Sequence, residues 1–188
     1  MKSLLISALM AGVVVGAPQS KPTDVPADFS ATVQVAGELG AAAGIMKIHI
    51  DRSTAESDRT AMIKALRTDG YQAFLPAFRK LPAVGYIQIK DQKWNLKWAV
   101  FEPKDLGAHI TIATDEPVFF VGGSQPDAKP RAGYEMSVAE MDIDTIGMGK
   151  GTFAAAARVK PSANGTTVTV DDYSGKPSQL TMITRTRP

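Results

Sequence analysis

Val84-Gly85-Tyr86-Ile87-Gln88-Ile89-Lys90-Asp91-Gln92-Lys93-Trp94-Asn95-Leu96-Lys97-Trp98-Ala99-Val100 decides the fold class. Ile87 and Ile89 alternate with Tyr86, Gln88 and Lys90, the period-2 pattern of a strand with one buried face. Asp91-Gln92-Lys93 reads as a turn. The next segment is expected to place Trp94, Leu96, Trp98 and Val100 on one face, because residues i, i+2 and i+4 of a strand align.

The same pattern extends in both directions. Upstream, Phe29, Ala31, Val33 and Val35 alternate with Ser30, Thr32 and Gln34, and Ile45, Met46, Ile48 and Ile50 form the second strand of a hairpin. Downstream, 107–114 carries Ile110 and Ile112, 117–121 is short and apolar, and 134–143, 152–159, 166–171 and 179–185 continue the series. Turns are marked at 103–107, at 115–117 and at Asn164-Gly165, the last a two-residue hairpin signal because both residues tolerate positive φ. Roughly ten short strands with regular turns predict a mainly β domain, an antiparallel barrel or sandwich-like sheet.

One helical region, about 54–81, interrupts the strands and is expected to pack as a cap or flank. Ser53-Thr54-Ala55-Glu56 has the form of a capping box. Met62, Ile63 and Leu66 supply an apolar face, and Gly70 is placed to end the helix in left-handed geometry. Tyr71, Phe74, Leu75, Phe78 and Leu81 then carry helical spacing for a second short helix, with Pro76 in an early turn or at a kink.

The first residues read as a secretory signal: Lys2 supplies charge, 4–15 is apolar or small, and small residues surround a cleavage point after Gly16. The apolar run falls short of the roughly 20 residues of a membrane span. The expected organisation is a signal at 1–16, an extended Pro-rich leader at 17–28 and a single β-rich domain at 29–188, exported to the periplasm or beyond, with no membrane span in the mature chain. The chain has 188 residues, no cysteine, and 21 Lys+Arg against 19 Asp+Glu. Without cysteine, the fold must rest on packing alone, and thiol chemistry is excluded. The balanced charge argues against a nucleic-acid partner, which shows as a basic stripe.

The motifs are weak. Gly147-Met148-Gly149-Lys150-Gly151-Thr152 has the glycines and lysine of a phosphate loop, but Asp144 and Gly151 stand where the pattern requires glycine and Ser/Thr. Asp142-Ile143-Asp144 lacks the later acidic ligands of a calcium loop. His49 and His109 each sit alone in a strand, so no metal site or cofactor is assigned. No Gly-x-Ser-x-Gly elbow supports a nucleophilic serine, and no catalytic residue is assigned. The glycine-rich stretch 122–133 reads as a long surface loop. Asn164-Gly165-Thr166 has the form of a glycosylation sequon, which the hairpin turn explains.

Asp58-Arg59 with Ala65-Leu66, Leu81-Pro82-Ala83-Val84-Gly85-Tyr86-Ile87, and Met141-Asp142-Ile143-Asp144 with its following glycines resemble a group of uncharacterised exported bacterial proteins. That group is built as signal peptide, hairpin, helix and further strands. The resemblance implies export and architecture and carries no site residue across.

The function expected from these readings is a non-enzymatic binding module for a small apolar ligand or a protein partner. Trp94, Trp98, Phe119, Phe120 and Tyr134 are its candidate cavity residues. The alternatives are a hydrolase built on His109 or an acidic pair, and a structural or interaction protein with a filled core. The export reading is tested by expressing the full chain in a bacterium and sequencing the N-terminus of the periplasmic product. Export should yield Ala17 as the first residue, and an unprocessed cytoplasmic product would refute it.

Overall fold

A computed structural model describes residues 21, 23–37, 40–119, 131–174 and 176–186. Phe120, the signal at 1–16 and most of the loop at 122–133 lie outside the described residues. The elements are β1 (Ala27–Gly37), β2 (Gly40–Ile50), α1 (Glu56–Thr68), α2 (Gly70–Arg79), β3 (Gly85–Ile89), β4 (Gln92–Lys104), β5 (Gly107–Thr114), β6 (Met136–Asp144), β7 (Met148–Pro161), β8 (Val168–Tyr173) and β9 (Ser178–Thr186). Their pairing order is β6-β5-β4-β3-β2-β1-β9-β7-β8, and a further β6–β7 pairing closes an antiparallel barrel of eight strands. β8 pairs only with the far end of β7, at Ala157 to Pro161, beyond the stretch that pairs with β9. The sequence expectation of an antiparallel barrel holds. The stretch at 117–119 is not a strand, and nine strands occur among the described residues.

Closure divides the apolar residues into two cores. The interior is filled by side chains such as Phe29, Met46, Ile48, Ile87, Leu96, Ile110, Met141 and Phe153, each at most 2% exposed. Small barrels commonly fill in this way. One end is closed by Val118, which is fully buried and donates its backbone N–H toward Ala155 O (3.0 Å) and Ser137 Oγ (2.7 Å). A second core lies outside the barrel wall, where Ile63, Leu66, Phe74 and Phe78 of the helices meet Trp98, Val100, Val138 and Ala154 of the strands. Val159 and Val168 of the β7–β8 arm belong to the same layer. The helices therefore flank the barrel.

One residue separates the cores. Leu96 pairs with Thr114 and Trp98 with Ala113, so Lys97 is an extra residue in β4. Such a bulge reverses the alternation. Trp94, Leu96, Ala99 and Phe101 belong to the interior core, while Trp98 and Val100 belong to the outer one. The shared face expected for Trp94 and Trp98 is thereby corrected. Trp98 is fully buried, lies 6.1 Å from the Phe78 ring and donates from Nε1 to Thr167 Oγ1 at 2.9 Å.

The bulge also fixes the helical insertion. β3 reaches along β4 only to the Gly85–Leu96 pair. Beyond it, Thr54 takes over: its N–H donates to Ala99 O and its Oγ1 accepts from Ala99 N, both at 2.8 Å. The expected capping box of Ser53 and Glu56 does not form, because α1 starts at Glu56 and Ser53 lies two residues before its N-cap. Ala55 is the N-cap and makes no side-chain cap. Gly70, at φ +75°, separates α1 from α2 as the sequence suggests, and Pro76 lies inside α2 rather than in its first turn.

Two other local readings change. Gly149 and Gly151 belong to β7, where a Cβ would come within 2.1 Å of Asp142 O and 2.2 Å of Glu140 O. These glycines let β6 and β7 approach closely; they are not a phosphate cradle. The Asn164-Gly165 turn is wider than a two-residue hairpin, because β7 ends at Pro161 and β8 starts at Val168. Its backbone bonds run from Ser162 N to Thr167 O and from Gly165 N to Ser162 O, both 2.9 Å, and Asn164 Nδ2 donates to Glu102 Oε1 at 2.8 Å.

Trp98→Ala should lower unfolding stability by about 3–5 kcal/mol, as expected for loss of a large buried aromatic, and Trp98→Phe should cost less. Urea unfolding measures both. A loss for Trp98→Ala below about 1 kcal/mol would be inconsistent with two cores meeting at this residue.

Candidate functional site

The four expected cavity residues that are described do not gather around one space. Trp94 is half-buried against the interior core, and Trp98 is buried in the outer one. Phe119 is half-buried beside the Val118 plug. Tyr134 is 6% exposed, its hydroxyl donates to the Asp172 carboxylate, and the Arg131 guanidinium lies 4.2 Å from its ring centroid. Asp172 belongs to an ion-pair group in which Arg158 Nε donates to Asp171 at 2.9 Å. Tyr134 thus joins the loop preceding β6 to β8.

The two histidines are held by carboxylates. Asp28 and His49 are register partners across β1 and β2. His49 Nδ1 lies 2.6 Å from Asp28 and Nε2 lies 2.9 Å from Asp51. Only the doubly protonated imidazolium can donate to both carboxylates. The Asp28 hydrogen bond raises the His49 pKa against the opposing effect of partial burial, and Asp51 adds to the rise. Tyr86 packs at 5.0 Å from the ring, with Lys93 Nζ 3.4 Å from the Tyr86 centroid. With both nitrogens occupied, His49 has none left to accept a proton from a nucleophile.

His109 Nδ1 lies 2.8 Å from Asp142, which also accepts from Lys104 Nζ at 2.5 Å. Burial alone would raise the Asp142 pKa, but the Lys104 and His109 hydrogen bonds together hold it below its ordinary value. A His–Asp pair therefore exists, but among the described residues no hydroxyl bonds to its free Nε2. No group of three or more His, Asp or Glu among the described residues has the geometry to hold a metal ion.

The surface with unsatisfied chemistry is the barrel end opposite the Val118 plug. Leu106 at the β4–β5 turn is 81% exposed, Ile146 at the β6–β7 turn is 71% exposed, and Met148 and Met182 are 51% and 69% exposed. Leu106, Met148 and Met182 line an open groove of ≈ 590 Å³ with Ala108, Ile143 and Gly149 at its wall and Lys104, Asp142, Asp144 and Lys150 at its rim.

Backbone chemistry accounts for three of these exposed side chains, Ile146, Met148 and Met182. Asp144 Oδ1 accepts from Ile146 N (3.0 Å) and Met148 N (2.9 Å), and Gly147 N donates to Asp144 O (3.1 Å). This Asx-type turn holds Ile146 outward whatever its side chain. Met182 is the extra residue of a second bulge: β9 shifts register against β1 between the Thr184 and Thr181 pairs, and against β7 between the Ile183 and Leu180 pairs. Its φ is +48°. That conformation costs a non-glycine residue on the order of 1 kcal/mol. Sequence reasoning missed this surface, although Leu106 and Ile146, large apolar residues inside turn signals, were available to suggest it.

Comparison with protein-family models, with curated proteins and with solved structures finds no match for this chain.

The His49 clamp gives a pH test. Because its folded pKa is raised from 6.5, its stabilisation is fully present below about 6.5 and is lost as pH rises through the folded value. His49→Gln should be less stable than the wild type at about pH 5.5, by less than about 1 kcal/mol since the cluster is partly exposed, with the gap narrowing by about pH 8.5. Urea midpoints at the two pH values measure this. A gap that widens with pH would refute the clamp.

Proposed function

We propose that this protein is an exported, non-enzymatic binding module and that its working surface is the open end of the barrel. One observation carries the reading: four large apolar side chains, each at least half exposed, converge on one barrel end around an open groove. Exposed apolar residues scattered singly need no explanation, whereas a contiguous patch with a polar rim marks an interaction site. The packed interior favours this surface over a ligand held inside the barrel. The saturation of His49 by two carboxylates, and the lack of a hydroxyl on the His109–Asp142 pair among the described residues, favour binding over hydrolysis. The left-handed Met182 points the same way, because strain retained at an exposed position is characteristic of functional sites.

The test uses methyl-labelled protein titrated with decanoate, a small amphiphile with an apolar chain. Binding should shift the methyl resonances of Leu106, Ile146, Met148 and Met182 and leave interior methyls such as Ile48 and Ile110 in place. Met182→Asn, which suits positive φ, should bind decanoate several-fold more weakly while unfolding at a higher urea concentration. Shifts confined to the interior would place the ligand inside the barrel, and an absence of shifts in protein that is monomeric at the labelled concentration would remove the barrel end as an apolar binding surface.

A further inference from the structure

The barrel end carries a protrusion and a recess on the same face. Leu106 and Ile146 stand out at the tips of two adjacent hairpins, and the groove bounded by Met148 and Met182 opens beside them. A surface with both shapes can be complementary to itself under a two-fold axis, where each tip enters the opposite groove.

The charges at the rim have the same property. Asp142 is already engaged by Lys104 and His109, and the Asp144 carboxylate is committed to its turn. Arg185, against the β6–β7 turn, is spent on the Lys21 and Asp24 carbonyls; Lys150, at the start of β7, and Asp105, beside Leu106 on the β4–β5 tip, have neither an ion-pair nor a hydrogen-bond partner for their charged groups among the described residues. Lys150 and Asp105 have opposite sign and lie on different hairpins of one end. A two-fold interface brings a patch against its own copy, so one unpaired cation and one unpaired anion can satisfy each other twice. A lipid surface fits less well, because inserting Leu106 would carry the adjacent Asp105 into the bilayer.

Resting on the reading of the barrel end as the working surface, we propose that its partner is a second copy of this chain, in an isologous dimer. The Leu106 and Ile146 tips of each copy fill the other's groove, and Lys150 of each faces Asp105 of the other. The four apolar residues alone do not reach the roughly 800 Å² per partner of a stable interface. The charged rim must be buried with them, so the interaction is sensitive to both.

Sedimentation velocity of the folded protein from about 1 to about 200 μM tests this by mass action. The wild type should pass from monomer to dimer over that range. Leu106→Asp, at a solvent-exposed turn, should weaken dimerisation at least tenfold while leaving the circular dichroism spectrum unchanged. Lys150→Asp and Asp105→Lys should each weaken it, and the double exchange should restore it. A monomer at every concentration overturns the dimer, as does a dimer indifferent to Leu106→Asp or a double exchange that restores nothing. If the chain is monomeric but decanoate still shifts the barrel-end methyls, only the dimer fails. If those shifts are also absent, the binding reading fails with it.

Discussion

The bulge at Lys97 is the constraint on which the rest of the structure depends. A regular β4 would have kept Trp98 on the same face as Trp94 and Leu96, crowding an interior already filled by Phe29, Phe153 and the isoleucines of β2, β3 and β5. The extra residue turns Trp98 outward and gives the helices a large apolar surface to cover. It also lies where β3 has ended, so the free N–H and C=O of Ala99 can be met by Thr54. A single insertion thus builds the second core and anchors the start of the helical insertion. The β7–β8 arm is tied to the same point through the Trp98–Thr167 hydrogen bond.

Closing the barrel imposes a second demand, at β7. This strand pairs with β6 on one side and with β9 and then β8 on the other. Gly149 and Gly151 permit the approach to the β6 backbone at the turn end, and the bulge at Met182 adjusts β9 to both of its neighbours. The closing β6–β7 pair carries a further bulge at its other end, between the Met136 and Val138 pairs, so closure is adjusted at both ends, with the close-approach glycines and the Met182 bulge at this one. That end also bears the exposed Leu106, Ile146, Met148 and Met182, while the other end is sealed by Val118 and the hydroxyls that hold it. The two mouths of the barrel are chemically unlike.

Much of the architecture could be read from the chain because it depends on alternation. Phe29, Ile48, Ile87 and Ile110 occupy the buried faces that period-2 patterning assigns them. Gly70 divides the helices where its position suggests. The misreadings share a cause: a local pattern was overridden by a neighbour distant in sequence. The alternation of Trp94 and Trp98 breaks at a bulge whose register is set by β5. α1 starts later than its capping box suggests, at Glu56, after Thr54 has met an open strand edge 45 residues away. The candidate surface was harder to read still. Leu106, Ile146 and Met182 lie far apart in sequence, and no periodicity relates two hairpin tips and a bulge. Only closure of the sheet brings them together.

Satisfied and unsatisfied groups are unevenly distributed in this fold. A catalytic site keeps a reactive group partly free, with a vacant nitrogen or a hydroxyl in reach of a base. Here Asp28 and Asp51 take both nitrogens of His49, Asp172 engages the Tyr134 hydroxyl, and Asp142 takes one nitrogen of His109, whose other nitrogen has no hydroxyl bonded to it among the described residues. These polar groups are spent on joining strands and loops, as expected of a cysteine-free chain stabilised by packing and hydrogen bonds. The apolar groups at the open barrel end are in the opposite condition: they are held in water by turn chemistry and by a left-handed backbone that gives the isolated fold nothing in return. Burial of their surface would stabilise the molecule at about 25 cal/mol per Å². The free energy left unrealised in this structure therefore resides in apolar contact.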